Sequence, residues 1–278
     1  MASIEVKSAQ PGVESVWVDV ANVTDEQCLE IYSTLDSLIG TEPQVSDAVA
    51  KAFVHAIELC SEANPSDLWH HLIYRHLRNR GFSDQRWKRV SGFALERGFL
   101  GIYSVRLEDH GIRARILSYN EAERLLKSLS IPVKPSKIDI FLEGNTSGGW
   151  AVFGAIHVKS SIAERIQDDV PASLAFIDRG LVSVAVTMDV KSFPPPHGDG
   201  VNHGELGGRS FDTDKARPKR AYIEELGQFD ALFSFNLRTP PSPSSTPSGK
   251  MIYTLSMMEP QPDRLVEYLA AAWRQRQD

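Results

Sequence analysis

"KIDIFLEGNTSGGWAVFGAIHVKSSIAERIQDD", residues 137–169, packs two extended-looking runs, a turn and a charged helix into one short stretch. In the first run, 137–143, side chains alternate across a strand, so Ile138, Ile140 and Leu142 share one face and Asp139 points to the other. "GNTSGG" (144–149) is rich in turn formers, and the second run, 150–159, puts Ile156 and Val158 on one face and His157 and Lys159 opposite. Two extended runs around a glycine-rich turn predict an antiparallel hairpin with Asp139 close to Lys159. Helical spacing then begins almost at once. Ile162, Ile166 and Val170 recur at i, i+4 and i+8 and define one buried face, which returns helix acids to the strand's end.

A lysine that closes a buried strand needs a partner, because desolvating an unpaired ammonium is costly. Taken alone, Asp139–Lys159 reads as a cross-strand ion pair, worth under about 1 kcal/mol if exposed. The helix adds a second possibility. A carboxylate, a lysine and a further carboxylate around one point suit metal-assisted phosphodiester hydrolysis. The acids hold Mg²⁺, a hard cation that takes oxygen ligands, and the lysine stabilises developing negative charge.

Outside this stretch the chain has ordinary globular proportions. Its 278 residues can bury a core as one large domain or two small ones, and 42% hydrophobic with 24% charged residues is typical of soluble proteins. No apolar run approaches a membrane span, "MASIEVKSAQ" lacks a signal-peptide core, and the two cysteines, Cys28 and Cys60, lack CxxC pairing. These features predict a reduced, cytoplasmic protein with no membrane association. A net charge of −6 argues against nonspecific nucleic-acid binding on average, yet "RHLRNRGFSDQRWKR" (75–89) carries six cations against one acid. That run reads either as a solvated helix end or as a phosphate-gripping surface.

The N-terminal third looks helical. Val49, Phe53, Ile57 and Cys60 sit at helical spacing, and "NPSDLWHHLIYRHLRNRG" has a candidate cap at Ser66 and a stop at Gly81. In it Leu68, Leu72 and Leu77 face inward, and His70, His71 and His76 read as ordinary helix residues. A third helix from about Asp84 to Leu107 contains Glu96 despite Gly92, Gly98 and Gly101. Strands follow at 112–118, 180–190 and in "DALFSFNLR" and "MIYTLSM", with a helix at 120–129 and a closing helix in "PDRLVEYLAAAWRQRQ". The expectation is an α/β fold in one domain over 1–278. Residues 1–110 form its mainly helical part, and 111–278 its core with the sheet and C-terminal helix. "HGDGVNHGELGG" (197–208) reads as a surface loop, since His197 and His203 lack the partners of a zinc set.

"KIDIFLE" followed by "GAIHVKSSIAERIQDD" resembles the PD-(D/E)xK nuclease core, and more narrowly the type II restriction endonucleases that recognise CCGG-containing targets. In that group the acid normally two residues before the lysine is replaced, and a carboxylate from the following helix substitutes. His157 shows the same departure, and "KSSIAER" matches the group's strand-to-helix motif. "DDVPAS", "TMDVKSFPPPHGD", "GELG" and "NLRTPPS" extend the likeness from about residue 63 to the Pro/Ser loop at 239–249. The resemblance implies a restriction-endonuclease-like mixed β-sheet flanked by helices.

Residue by residue, the resemblance implies Asp139 as the first metal-binding acid, Lys159 as the catalytic lysine and Glu96 as an additional metal-supporting glutamate. Asp169, or its neighbour Asp168, is the helix acid. In relatives that acid lies farther from the lysine, at a position occupied here by Ala172 or Ser173, and Pro171 complicates the local geometry. Glu164 and Arg165 correspond to an acid–arginine pair that reads C:G base pairs, although "SIAE" from Ser161 also has capping-box spacing. Arg86, Lys88 and Arg89 are the candidate phosphate contacts. The implied activity is Mg²⁺-dependent cutting of double-stranded DNA at a palindromic CCGG site, A/CCGGT first and R/CCGGY or W/CCGGW next, leaving four-base 5′ overhangs. It also implies a homodimer on the palindrome and a cognate DNA methyltransferase acting in the same system. Two other readings remain: a sequence-specific DNA-binding protein whose nuclease centre has decayed, and a repair-type nuclease of the same core without base specificity.

Overall fold

The computed structural model describes residues 1–8, 10–162, 165–207, 218–258 and 262–277, with Arg165 and Pro218 described in backbone only. The hairpin predicted from the quoted stretch is present. Strand β4 (Ile140–Thr146) runs antiparallel to β5 (Gly149–Lys159), pairing Ile140 with Ile156, and a bulge falls at Leu142/Glu143. β3 (Ile112–Arg115) adds antiparallel to β4. On the other side β6 (Val182–Thr187), β7 (Ala231–Ser234) and β8 (Met251–Thr254) continue parallel to β5, giving a six-stranded mixed sheet in the order β3-β4-β5-β6-β7-β8.

Helices cover both faces. On one lie α1 (Asp25–Thr41), α2 (Val45–Leu59), α5 (Asp84–Glu108) and the closing α9 (Arg264–Arg274). Their apolar stripes meet Ile140, Leu142, Ile156 and Val158 in the main core. The other face is covered by α6 (Tyr119–Ser128), α7 (Arg165–Ile177) and α8 (Pro218–Glu224) in two smaller clusters. Ile162, Ile166 and Val170 pack together there, as their spacing predicts. Ile138 departs from the expected strand face. It precedes β4, following a turn of 3₁₀ helix at Pro135–Lys137, and packs with Phe141 on the opposite side from Ile140.

The glycines inside α5 have a packing reason. A Cβ on Gly98 would lie 3.2 Å from Phe53 and one on Gly101 2.9 Å from Val54, so they let α5 approach α2 closely. Gly154 is stricter still, because a Cβ there would sit 2.6 Å from the carbonyl oxygen of Val182 on the paired strand. Backbone in a central strand cannot swing aside. Gly154→Ala is therefore expected to lower stability by about 1–3 kcal/mol in urea unfolding, and an unchanged midpoint would show the strand pair to be slack there.

The helix from residue 65 differs from expectation. It starts with α3 (Pro65–Asp67), passes through a π-helical stretch at Leu68–Tyr74 and ends as α4 (Arg75–Asn79). Its cap is Asn64, whose side chain accepts from the Ser66 N–H, because Pro65 already occupies the first helical position. Gly81 follows in the left-handed region, and Leu68, Leu72 and Leu77 are buried as predicted. An N-terminal hairpin, β1 (Ala2–Val6) with β2 (Val16–Val20), adds strands to a region read as helical. No helix among the described residues is long and apolar enough to cross a membrane.

Candidate active site

At the C-terminal end of β5, Lys159 points its ammonium between two carboxylates. Nζ lies 2.9 Å from Asp139 Oδ2 and 2.7 Å from Asp169 Oδ2. Asp139 comes from the residue just before β4 and also accepts the Val158 N–H at 2.7 Å, which ties it to the paired strand. Asp169 arrives from α7. That helix continues through Pro171 and turns Asp169 inward, leaving Asp168 exposed. Burial works against the lysine's charge, yet the two carboxylates prevail and hold its pKa above the usual lysine value.

His157, two residues before the lysine, joins the same point. Its ring is only 1% exposed, packs edge-on against Phe229, and brings Nδ1 to 3.8 Å from Asp169 Oδ2. Burial, with Lys159 nearby, outweighs Asp169 and Asp139 and lowers its pKa, so the imidazole is neutral. Donor atoms from Asp139, His157 and Asp169 all lie within 4.8 Å of one another, a span that suits one metal ion. Glu96, from α5, lines the same cleft. Burial and the nearby Asp139 push its carboxyl up to about 8, against the pull of Lys159 and Arg97. Asp139, Lys159, Asp169 and Glu96 line a cleft of about 640 Å³ together with Trp69, Tyr74 and Trp87.

The structure thus brings Asp139, Lys159, Asp169 and Glu96 to one cleft. His157 is the residue that sequence reasoning passed over as a partner, although its position before the lysine was marked as unusual. Glu164 lies outside the described residues, as does the Arg165 side chain. Ser161, the proposed cap, instead places its hydroxyl 3.3 Å from Glu205 Oε2.

The basic run is less uniform than its sequence suggests. Arg75 is turned inward to His71 and Ser192, Arg78 meets Asp84 and the Phe82 carbonyl, and Arg80 pairs with Asp36. Arg86, Lys88 and Arg89 are exposed, with Arg86 lying over the Phe82 ring and Lys88 lining the cleft. The 197–208 loop, expected at the surface, is exposed at 197–199 and tied inward from Gly200 to Gly207, as far as it is described. Asp189 accepts the N–H groups of Glu205 and Leu206, and the buried Asn202 side chain bonds Ser66 and the Lys191 N–H.

A mixed sheet that holds an acid and a lysine at the ends of adjoining strands, with two further acids brought in by flanking helices, has the make-up of a nuclease centre. The chain is 44% identical over 262 residues to the type II restriction enzyme AgeI of Thalassovita gelatinovora, spanning 90% of this chain and 92% of that protein. It therefore belongs to the type II restriction endonucleases. Among solved structures, that of a specific AgeI–DNA complex superposes with a TM-score of 0.88 at 40% identity, covering 98% of this chain and 99% of the other. No protein-family model matches the chain.

Proposed function

We propose that this chain is a site-specific deoxyribonuclease that hydrolyses double-stranded DNA with Mg²⁺ at a palindromic CCGG-containing site, A/CCGGT first among the candidates. The cut falls before the first C and leaves four-base 5′ overhangs. The observation that carries this reading is the Lys159 ammonium held between Asp139 and Asp169 in an open cleft. Its relatives add support: one is named a type II restriction enzyme, and a solved structure of that enzyme is with DNA.

In this reading Asp139, Asp169 and Glu96 would hold the metal, which would supply Lewis-acid polarisation of the scissile phosphate and a more acidic water for the attack. The donor chemistry fits, because two carboxylates converge with His157 within a few ångströms. Lys159, kept charged by its carboxylates, donates to the oxygen on which negative charge accumulates. Glu164 and Arg165 read the C:G pairs, a carboxylate accepting from cytosine N4 and a guanidinium donating two bonds to guanine. Arg86, Lys88 and Arg89 grip phosphates and set register. The whole of 1–278 works as one domain, and two copies act on the palindrome as a homodimer because two bonds must be cut. A cognate methyltransferase protects the host's own sites.

Digestion of a fully sequenced phage DNA with and without Mg²⁺, with fragment ends sequenced, tests this reading. Discrete Mg²⁺-dependent ends at one CCGG-containing hexamer are expected; cutting without a defined site, or intact DNA, would overturn it. Arg165→Ala is expected to weaken discrimination at the C:G pairs by about 1–3 kcal/mol, measured as the ratio of cleavage rates on the site and on a one-base mismatch. An unchanged ratio would remove Arg165 from base reading.

A further inference from the structure

We infer that His157 supplies a nitrogen ligand to the metal held by Asp139 and Asp169, so that the site prefers a first-row transition ion such as Mn²⁺ or Co²⁺ over Mg²⁺ more strongly than an all-oxygen site would. The inference deepens the metal-dependent reading above and rests on it. Two observations carry it. The imidazole is almost wholly buried, and neither ring nitrogen makes a hydrogen bond among the described residues. Its Nδ1 also faces Asp169 across 3.8 Å, too long for a hydrogen bond and close to the spacing of two ligands on one ion.

Burying an unsatisfied polar atom costs about 1–3 kcal/mol. A ring needed only to fill space beside Phe229 would be served better by leucine or phenylalanine. A bound cation removes the cost for one nitrogen. With metal–ligand bonds of about 2.0–2.2 Å, donors on one ion stand roughly 3–4 Å apart. Small carboxylate and ring rotations close the present 4.8 Å span to that distance. Affinity for a nitrogen-bearing site rises along the first-row series from Mn²⁺ through Co²⁺, so Co²⁺ gains more from an imidazole than Mn²⁺ does, and both gain more than Mg²⁺, which keeps to oxygen and dehydrates reluctantly.

Pulsed electron paramagnetic resonance of the Mn²⁺-loaded, DNA-free protein tests the contact directly. A ¹⁴N coupling is expected in the wild type and should vanish in His157→Leu. Calorimetric titration with MnCl₂ should show affinity reduced about tenfold or more in His157→Leu, and with MgCl₂ by less than about threefold. Melting in EDTA should leave His157→Leu as stable as the wild type or more so, because the variant removes two buried nitrogens that lack a hydrogen bond among the described residues; a marked loss of stability would show that the ring holds the fold and would overturn the inference. Absence of ¹⁴N coupling in the wild type, or equal Mn²⁺ affinity in the two proteins, would overturn the inference. The wild-type spectrum reads the contact without the variant. Asp139→Asn separates the two levels: it should lose Mn²⁺ and Mg²⁺ alike, and if it binds both normally the metal-site reading itself falls.

Discussion

Lys159→Ala is expected to slow DNA cleavage by at least about 100- to 1,000-fold, the effect of deleting one preorganised charge at a developing oxyanion. Two losses combine in this variant. The donor to the transition state goes, and Asp139 and Asp169 lose the cation that lies within 3 Å of both. Added metal supplies the missing positive charge, which means the variant should still fold, bind divalent ions and hold duplex DNA. Single-turnover cleavage on a CCGG-containing duplex, beside a gel-shift titration on the same duplex, separates these properties. Cutting at the wild-type rate would place the catalytic centre elsewhere; loss of DNA binding in step with cleavage would make Lys159 a binding residue.

The hairpin that carries this centre was legible because its signal is local. Period-two alternation on either side of "GNTSGG" sets which residues oppose one another, and the pairing of Ile140 with Ile156 follows. The Ile162–Ile166–Val170 stripe likewise returned the acids of α7 to the end of β5, while the sequence left Asp168 beside Asp169 as the alternative and the fold turns Asp169 inward. The features that escaped depend on distant chain. Arg80 looked available for phosphate, but its partner Asp36 lies on α1, and Arg75 is turned toward Ser192. The inward tie of residues 200–207 depends on Asp189, whose carboxylate gathers two backbone N–H groups and the Thr239 hydroxyl. The first hairpin had a signal, alternation in "VWVDV" and "ASIEV", but its strands are five residues each and are separated by a long connection. His157 is the instructive case. A histidine inside an apolar strand reads as packing until α7 and the start of β4 deliver carboxylates beside it.

Glu96 gives the second large effect, and its sign depends on pH. Burial and Asp139 raise its folded pKa to about 8 from an ordinary 4.5, so the metal-free folded protein holds a proton that the unfolded chain has released. The stability linked to that proton is fully present below about pH 4.5 and is lost as pH rises through about 8. At roughly 1.4 kcal/mol per pKa unit, the loss by pH 9 is on the order of 4 kcal/mol. Glu96→Gln keeps the shape of the protonated acid and cannot ionise. In EDTA, its urea unfolding should match the wild type at pH 5 and exceed it by that amount at pH 9, the difference between the two curves isolating this one carboxyl. Parallel curves from pH 5 to pH 9 would show that Glu96 is ionised throughout. Divalent metal should act in the opposite sense on the wild type alone: a cation bound beside Glu96 favours its charged form, so added Mn²⁺ should restore wild-type stability above pH 8 and leave the variant less protected. The same carboxyl that weakens the empty fold at high pH is then the one that the metal recruits, and cleavage by Glu96→Gln should fall even where its fold is the more stable of the two.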